Sequence, residues 1–317
     1  MGDCINSVSL EALGHHGLKR IAVAIGVFDG VHLGHQLLLK RLLAMSERNS
    51  AVPVVLTFFP HPRHILFPEE PLAMLFSPEK KFKLLAAQNV QAVVTLPFSK
   101  DFSNLTADQF LEDCLFSPTI EISGICVGSK WRFGRGGKGD ADTIHHYADL
   151  HNFEFDPVEE FYLEGRTVSS TAIRRAVSGG DLDSASAMLG RYYSLSGSVV
   201  HGAFDGTSVL ECPTANISVS DGIIPPDGVY AGCAEVEGRK YSAAVSVGTS
   251  PTFADKVRLS SDIEVHLLDF NGNLYGKELE VEFVQYLREE RCYSSSEELK
   301  KQIEIDLEKI RGIVSVI

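Results

Sequence analysis

No apolar stretch in this 317-residue chain approaches the length needed to span a bilayer. The opening segment, MGDCINSVSLEALGHHGLKR, lacks the apolar core of a secretion signal. Both absences predict a cytoplasmic protein without a membrane partner. Basic charge is in deficit as well: 29 Lys and Arg against 42 Asp and Glu leave a formal net charge of -13. That balance argues against a broad phosphate-backbone footprint, so nucleic acid is not an expected partner, whereas a small basic pocket for a nucleotide is compatible with it. The six cysteines (Cys4, Cys114, Cys126, Cys212, Cys233, Cys292) are scattered, with no C-x-x-C pair. Such usage excludes a zinc knuckle or a disulfide framework and reads as reduced thiols. Internal repeats and low-complexity tracts are missing too. The length suits two domains, and the expected state is a monomer or weak oligomer.

What is present starts with the ten residues GVFDGVHLGH, Gly26 to His35. They follow an apolar run, Ile21 to Val27, that reads as a buried strand, and precede QLLLKRLLAM, whose leucines recur at helical spacing. A glycine-rich turn between strand and helix presents backbone N–H groups to a phosphate. It also carries His32 and His35 as His-x-Gly-His, with Gly34 permitting close approach of a ligand to the backbone. Two imidazoles beside a positive helix terminus donate hydrogen bonds to phosphate oxygens without covalent chemistry. The plainer alternative is a loop in which the glycines serve geometry only. The turn is neither G-x-G-x-x-G nor a Walker lysine loop, which disfavours a dinucleotide dehydrogenase and a P-loop kinase.

The chain has two halves of different periodicity. Up to about His151, apolar runs alternate with helical patterns: strands at Val52 to Phe58, Gln91 to Phe98 and Glu121 to Gly128. A helix opens at Ser77-Pro78-Glu79, and Thr106 with Gln109 has capping-box spacing. This alternation predicts a parallel sheet with helices on both faces. Ligands on such sheets bind at the carboxyl ends of strands. The His-x-Gly-His turn, Pro60-His61-Pro62 and SKWRFGRGGKGD (Ser129 to Asp140) all fall there. After Leu189, short strands take over, and Asn271-Gly272-Asn273 is expected to close a hairpin between the last two. Alternation in GKELEVEF places Leu279, Val281 and Phe283 on one face. A closing helix from about Ser296 to Ile313 carries Leu299, Ile303, Leu307 and Ile310 on its apolar stripe. The second half therefore reads as a small barrel or sandwich, and the boundary gives domains of 1–184 and 185–317.

At these residues the chain resembles the bacterial bifunctional riboflavin kinase/FAD synthetase family, collinearly from about Ile21 to Arg311. The motifs are GVFDGVHLGHQLL, TFFPHP, WRFGRGGKGD and VSSTAIRRAV in the first half, then CPTANI, EVHLLDF, LYGKEL and LREE in the second. The resemblance implies an α/β fold: an N-terminal nucleotidyltransferase-type (Rossmann-like) parallel-sheet domain that adenylylates FMN. After it comes a C-terminal riboflavin-kinase-type antiparallel β-barrel with a terminal helix. ATP and Mg2+ are implied for both steps, with riboflavin, FMN and FAD as substrates or products. By resemblance, Gly26, Phe28, Asp29, Gly30 and Gly34 form the ATP turn and His32 and His35 hold its phosphates. Ser170, Thr171 and Arg174 close on the triphosphate, while Pro60, Pro62, Trp131 and Phe133 border the flavin. In the second half Gly202 belongs to the ATP loop, Thr214 and Asn216 to Mg2+, Glu264 is the general base and Arg288 lies near the flavin. Read without the family, Glu264 is a solvent-facing strand residue and Arg288 a solvated charge beside two glutamates.

Four positions, at three places in the chain, depart from the family pattern. Glu211-Cys212 stand where a glycine and an aromatic usually precede PTAN, Lys130 replaces an Asp or Asn, and Phe59 replaces a glutamate. A carboxylate at Glu211 repels ATP phosphates. Two alternatives follow: a monofunctional FMN adenylyltransferase with a silent barrel, and a flavin-binding regulatory protein.

Overall fold

A computed structural model of the chain describes residues 4–70, 72–116, 119–200, 214–219, 221–248 and 262–314. The chain divides into two compact units, one of Met1–Leu72 and Pro78–Ser169, the other of Ala73–Ser77 and Ser170–Ile317.

The first unit alternates strand and helix: β1 (Ile5–Ser7), α1 (Leu10–His15), β2 (Arg20–Ile25), α2 (Leu33–Arg48), β3 (Val52–Phe59), α3 (Pro62–Leu66), α4 (Pro78–Ala86) and β4 (Ala92–Pro97). It continues through α5 (Ala107–Phe110), β5 (Glu121–Gly128), α6 (Ala141–His151) and β6 (Glu154–Val158), with a short pair, β7 (Tyr162–Leu163) and β8 (Arg166–Thr167). The six strands β1 to β6 form one sheet in the order β1-β4-β3-β2-β5-β6, and every pairing is parallel. Period-two burial explains why both faces are covered. Ile21, Val23, Ile25, Val54 and Leu56 pack into one core with Phe110 and Ile144; Ala22, Ala24, Val55 and Val93 pack into the other with Leu38, Leu42 and Leu85. The capping box forms as expected: Gln109 N donates to Thr106 Oγ1 at 3.2 Å and Thr106 N to Gln109 Oε1 at 2.9 Å. Strand order reverses between β2 and β5, which makes the carboxyl ends of these two strands the ligand crevice of such a sheet.

Among its described residues the second unit holds α7 (Ser170–Ser178), α8 (Leu182–Leu189), six strands and α9 (Ser296–Val314). The strands are β9 (Tyr193–Val200), β10 (Ala215–Ser218), β11 (Gly228–Val236), β12 (Arg239–Gly248), β13 (Asp262–Leu267) and β14 (Glu278–Arg288). They close into an antiparallel barrel in the order β10-β13-β12-β11-β14-β9. Leu279, Val281 and Phe283 point inward, each buried. Tyr193, also fully buried, satisfies its hydroxyl twice on Ile223, donating to O at 2.9 Å and accepting from N at 2.8 Å. The outer side of β11 is covered by α9 through Ala231, Leu268 and Ile310. One sequence expectation fails here. The Asn271–Asn273 turn closes no hairpin, because β13 pairs with β10 and β12 and so has no edge left for β14.

Candidate active sites

The first site begins where β2 ends. Thr57 on β3 donates to the Val27 carbonyl at 3.0 Å, and the chain then enters left-handed backbone at Phe28 (φ 55), Gly30 (φ 85) and Val31 (φ 41). Positive φ is ordinary for glycine and costly for a β-branched valine, so surrounding packing must hold Val31 in place. Gln36 contributes by donating from Nε2 to the Val31 carbonyl at 3.0 Å. The turn ends at His32, the N-cap of α2, whose Nδ1 accepts from His35 N at 3.3 Å. With Nδ1 accepting, the neutral ring carries its proton on Nε2, which makes Nε2 a donor. The two imidazoles stack with centroids 3.7 Å apart, and Phe28 lies 5.1 Å from His35. A Cβ on Gly34 would sit 3.2 Å from the His32 ring, so glycine there lets the ring lie against the helix start. The result is a buried imidazole and a half-buried one over the positive end of a sixteen-residue helix.

Sequence reasoning missed the group behind this turn. Lys81 on α4 is buried and donates to Val27 O at 3.4 Å and to Thr57 Oγ1 at 3.3 Å. Burial pushes its pKa down, and the nearby Asp29 carboxylate, itself 2% exposed, acts in the opposite sense. A signal existed: Lys81 lies four residues before the buried Leu85, on the apolar face of the helix.

Other candidates in this unit sit at neighbouring strand ends. Pro60 and Pro62 follow β3 and are half-buried; His61 caps α3, its Nδ1 accepting from Arg63 N at 3.0 Å. After β5, Trp131 and Phe133 stack at 4.7 Å, and Phe133 is buried against Phe110 at 5.5 Å. Only Trp131 of that pair is half-exposed. Lys130 is accounted for locally: its ammonium pairs with Glu160 at 2.5 Å, which raises the lysine pKa and lowers that of Glu160. No thiol here suits nucleophilic work, since burial pushes Cys126 up to about 12 and Cys114 to about 11.

In the second unit, Ser170, Thr171 and Arg174 lie on the first turns of α7, where Arg174 Nε donates to the Ala73 carbonyl at 2.8 Å. The barrel register joins the remaining candidates. Asn216 lies opposite Glu264, Glu264 opposite Ser246, Ser246 opposite Val229, and Val229 opposite Arg288. Their strand neighbours Ile217, Val265 and Val245 are buried inside, so this row runs across the outer face. Opposed residues are about 5 Å apart, which makes Asn216 and Glu264 direct neighbours; Arg288, three strands from Glu264, is about 14 Å away. Thr214, half-buried, shares the outward direction two residues before Asn216. Gly202, Glu211 and Cys212 fall outside the described residues.

Arg288 corrects its sequence reading as a solvated charge. Its Nε donates to Asp306 Oδ2 at 2.8 Å, and Asp306 is 4% exposed on α9. Gln302 Nε2 donates to the other carboxylate oxygen, Asp306 Oδ1, at 2.9 Å. Asp306 interrupts the apolar stripe of the helix, a break the sequence displayed but which had no partner until the fold supplied one.

A parallel α/β sheet with a histidine-bearing turn at its switch point, followed on the same chain by a closed antiparallel barrel with an acid and an amide in register, is the architecture on which the matches to two transferase families fall. Residues 15–172 match the FAD synthetase family and residues 189–314 the riboflavin kinase family. The bifunctional riboflavin kinase/FMN adenylyltransferase of Bacillus subtilis (strain 168) is 33% identical, over 92% of this chain and 93% of that protein. Its namesake from Escherichia coli (strain K12) is 33% identical over 90% of each. A crystal structure described as a macrolide-efflux protein from Streptococcus pneumoniae is similar with a TM-score of 0.80 and 30% identity, over 92% of this chain and 94% of that one. The chain belongs to the bifunctional riboflavin kinase/FMN adenylyltransferase family. Among its described residues, no helix is long and apolar enough to cross a membrane.

Proposed function

We propose that this protein phosphorylates riboflavin to FMN and adenylylates FMN to FAD, with ATP as co-substrate in both steps. The observation that carries the reading is the presence of both family matches on one chain, in the order of the full-length bifunctional relatives. That arrangement disfavours a silent barrel and a purely regulatory flavin binder. Residues 1–184 are assigned to adenylyl transfer and 185–317 to the kinase.

In adenylyl transfer an FMN phosphate oxygen attacks the α-phosphorus of ATP, and pyrophosphate leaves. The nucleophile belongs to the substrate, so the protein's task is positioning and charge stabilisation. His32 donates from Nε2 to a phosphate oxygen, His35 acts beside it, and backbone N–H groups near Gly26, Phe28, Asp29, Gly30 and Gly34 line the turn. Ser170, Thr171 and Arg174 bind the triphosphate with hydroxyls and a guanidinium. Pro60 and Pro62 border the flavin, with Trp131 against its ring and Phe133 supporting Trp131 from behind.

In the kinase reaction the 5′-hydroxyl of riboflavin attacks the γ-phosphorus of ATP, and ADP leaves. Glu264 takes the hydroxyl proton as its oxygen attacks. Thr214 and Asn216 offer neutral hard oxygens that suit Mg2+ already sharing phosphate ligands, and Asn216 stands beside Glu264 in register. When bound, Mg2+ neutralises charge on the transferring phosphates. Gly202 belongs to the ATP loop, and Arg288 orders the flavin side through its tie to α9. A cytoplasmic location fits the free thiols of Cys4, Cys114, Cys126, Cys233 and Cys292. The partners are small molecules, with no nucleic acid, and the state is a monomer or weak oligomer.

The test is direct. Purified protein is incubated with ATP and Mg2+ plus either riboflavin or FMN, and the flavins are separated by chromatography. FMN and FAD are expected from riboflavin, and FAD from FMN. Absence of FAD with FMN supplied would remove the first activity; FMN absent with riboflavin supplied would remove the second.

A further inference from the structure

Ser246 stands in the middle of the outer row on the barrel, opposite Glu264 on one side and Val229 on the other. It has a partner that the transfer chemistry above leaves unused. Ser246 Oγ donates to Glu290 Oε1 at 2.7 Å, and both side chains are half-buried. Glu290 follows β14, which β11 separates from β12, so this bond reaches across a strand. Glycine makes room for it: a Cβ on Gly248 would collide with the Glu290 carboxylate. The serine proton is thereby committed to Glu290, and the serine oxygen has only acceptor capacity left for a ligand.

The order of the row matches the order of groups in riboflavin. Asn216 is assigned to Mg2+, Glu264 to the 5′-hydroxyl and Arg288 to the flavin side. Neighbouring positions in the row are about 5 Å apart. An extended ribityl chain is longer than one such step, so a chain running from Glu264 toward Arg288 passes Ser246. What it presents there is a secondary hydroxyl, a donor meeting an acceptor.

We propose that Ser246 is a specificity-determining residue for the ribityl chain of riboflavin, accepting a hydrogen bond from a secondary hydroxyl, and that Glu290 is the positioning residue that holds it ready to accept. The proposal rests on the assignment of Glu264 and of the kinase reaction to the barrel. A purely structural contact makes a different prediction, since its loss loosens the barrel end and weakens every flavin alike. A ribityl contact is lost only for a flavin that carries the hydroxyls.

The experiment uses the full chain and two flavins. One is riboflavin; the other keeps the ring and the terminal hydroxyl on an unbranched hydroxypentyl chain, without the secondary hydroxyls. Wild type, Ser246→Ala, Glu290→Ala, Glu290→Gln and Ser246→Ala/Glu290→Ala are compared. For each, kcat and KM for phosphorylation of riboflavin are measured by chromatography of FMN and any FAD made from it. The analogue is read as a competitor of that reaction, which gives its affinity for the kinase site whether or not it is phosphorylated. Ser246→Ala is expected to raise the riboflavin KM about tenfold and to leave the inhibition constant of the analogue within about twofold of wild type. Glu290→Ala should give the same pattern, and the double variant should be no worse than Ser246→Ala, since the two side chains act as one unit. Glu290→Gln keeps an acceptor for the serine proton and should hold the riboflavin KM within about threefold of wild type. Should Glu290→Ala fail to fold, Ser246→Ala and Glu290→Gln decide the case. A wild-type KM in Ser246→Ala, or equal weakening of riboflavin and the analogue, would overturn the proposal while the kinase assignment stands. A double variant showing the product of the two single losses would remove Glu290 as the group acting through Ser246. Wild type that forms no FMN would overturn the kinase assignment, and the proposal with it.

Discussion

His32 has one task that the structure shows and a second that is proposed for it, and two substitutions divide them. Its Nδ1 caps α2 by accepting from His35 N at 3.3 Å, and its Nε2 is the proposed phosphate donor. Losing an N-cap acceptor costs about 1 kcal/mol of stability, with a range of roughly 0.5–2. Losing one donor aimed at developing charge costs about a hundredfold or more in rate, on the order of 3 kcal/mol. His32→Ala removes both, whereas His32→Asn keeps an acceptor of the kind favoured at N-caps and removes the imidazole. Urea unfolding should therefore show His32→Ala weakened by about 1 kcal/mol and His32→Asn close to wild type. Both variants should form FAD from FMN about a hundredfold more slowly, since the cap does not replace the Nε2 donor. The 3.7 Å stack on His35 makes some loss of His35 alignment part of both effects. His32→Asn turning over FMN at the wild-type rate would refute the phosphate role and leave His32 as a helix cap.

Glu264→Gln should lower FMN formation from riboflavin by about a hundredfold or more and leave FAD formation from supplied FMN unchanged; chromatography of both reactions checks it. Asp306→Ala strips the carboxylate from the part-buried Arg288 guanidinium and should cost about 3–5 kcal/mol of barrel stability in denaturant unfolding. A loss below about 1 kcal/mol would show that α9 is held by its apolar stripe alone. The isolated segment 185–317 begins inside α8 and should still unfold cooperatively; extending it to Ser170 restores α7, the first turn of α8 and the Asp181 cap, whose Oδ1 accepts from Ser184 N at 3.1 Å, and should add more than the about 1 kcal/mol of that cap alone. Non-cooperative melting of both segments would contradict the separate core.

The sequence by itself determined the class of each half. Period-two and period-3.6 patterns are local, so the strands at Val52, Gln91 and Glu121, the Thr106 capping box and the apolar stripe of the last helix were legible within a residue or two. The His-x-Gly-His turn was legible for the same reason, its chemistry being contained in ten consecutive residues. Non-local pairing was not. The Asn271–Asn273 turn carries every local mark of a hairpin, yet β13 was already flanked by β10 and β12, and only barrel closure decides which edges are taken. Arg288 read as a solvated charge because its partner lies eighteen positions away on another element. Lys81 drew no reading from the sequence, because the groups near it, Thr57 on β3 and Asp29 in the turn after β2, come from other parts of the chain. Tertiary structure alone decided these, since the energy of a charge depends on what surrounds it when water is removed, and those surroundings come from distant parts of the chain.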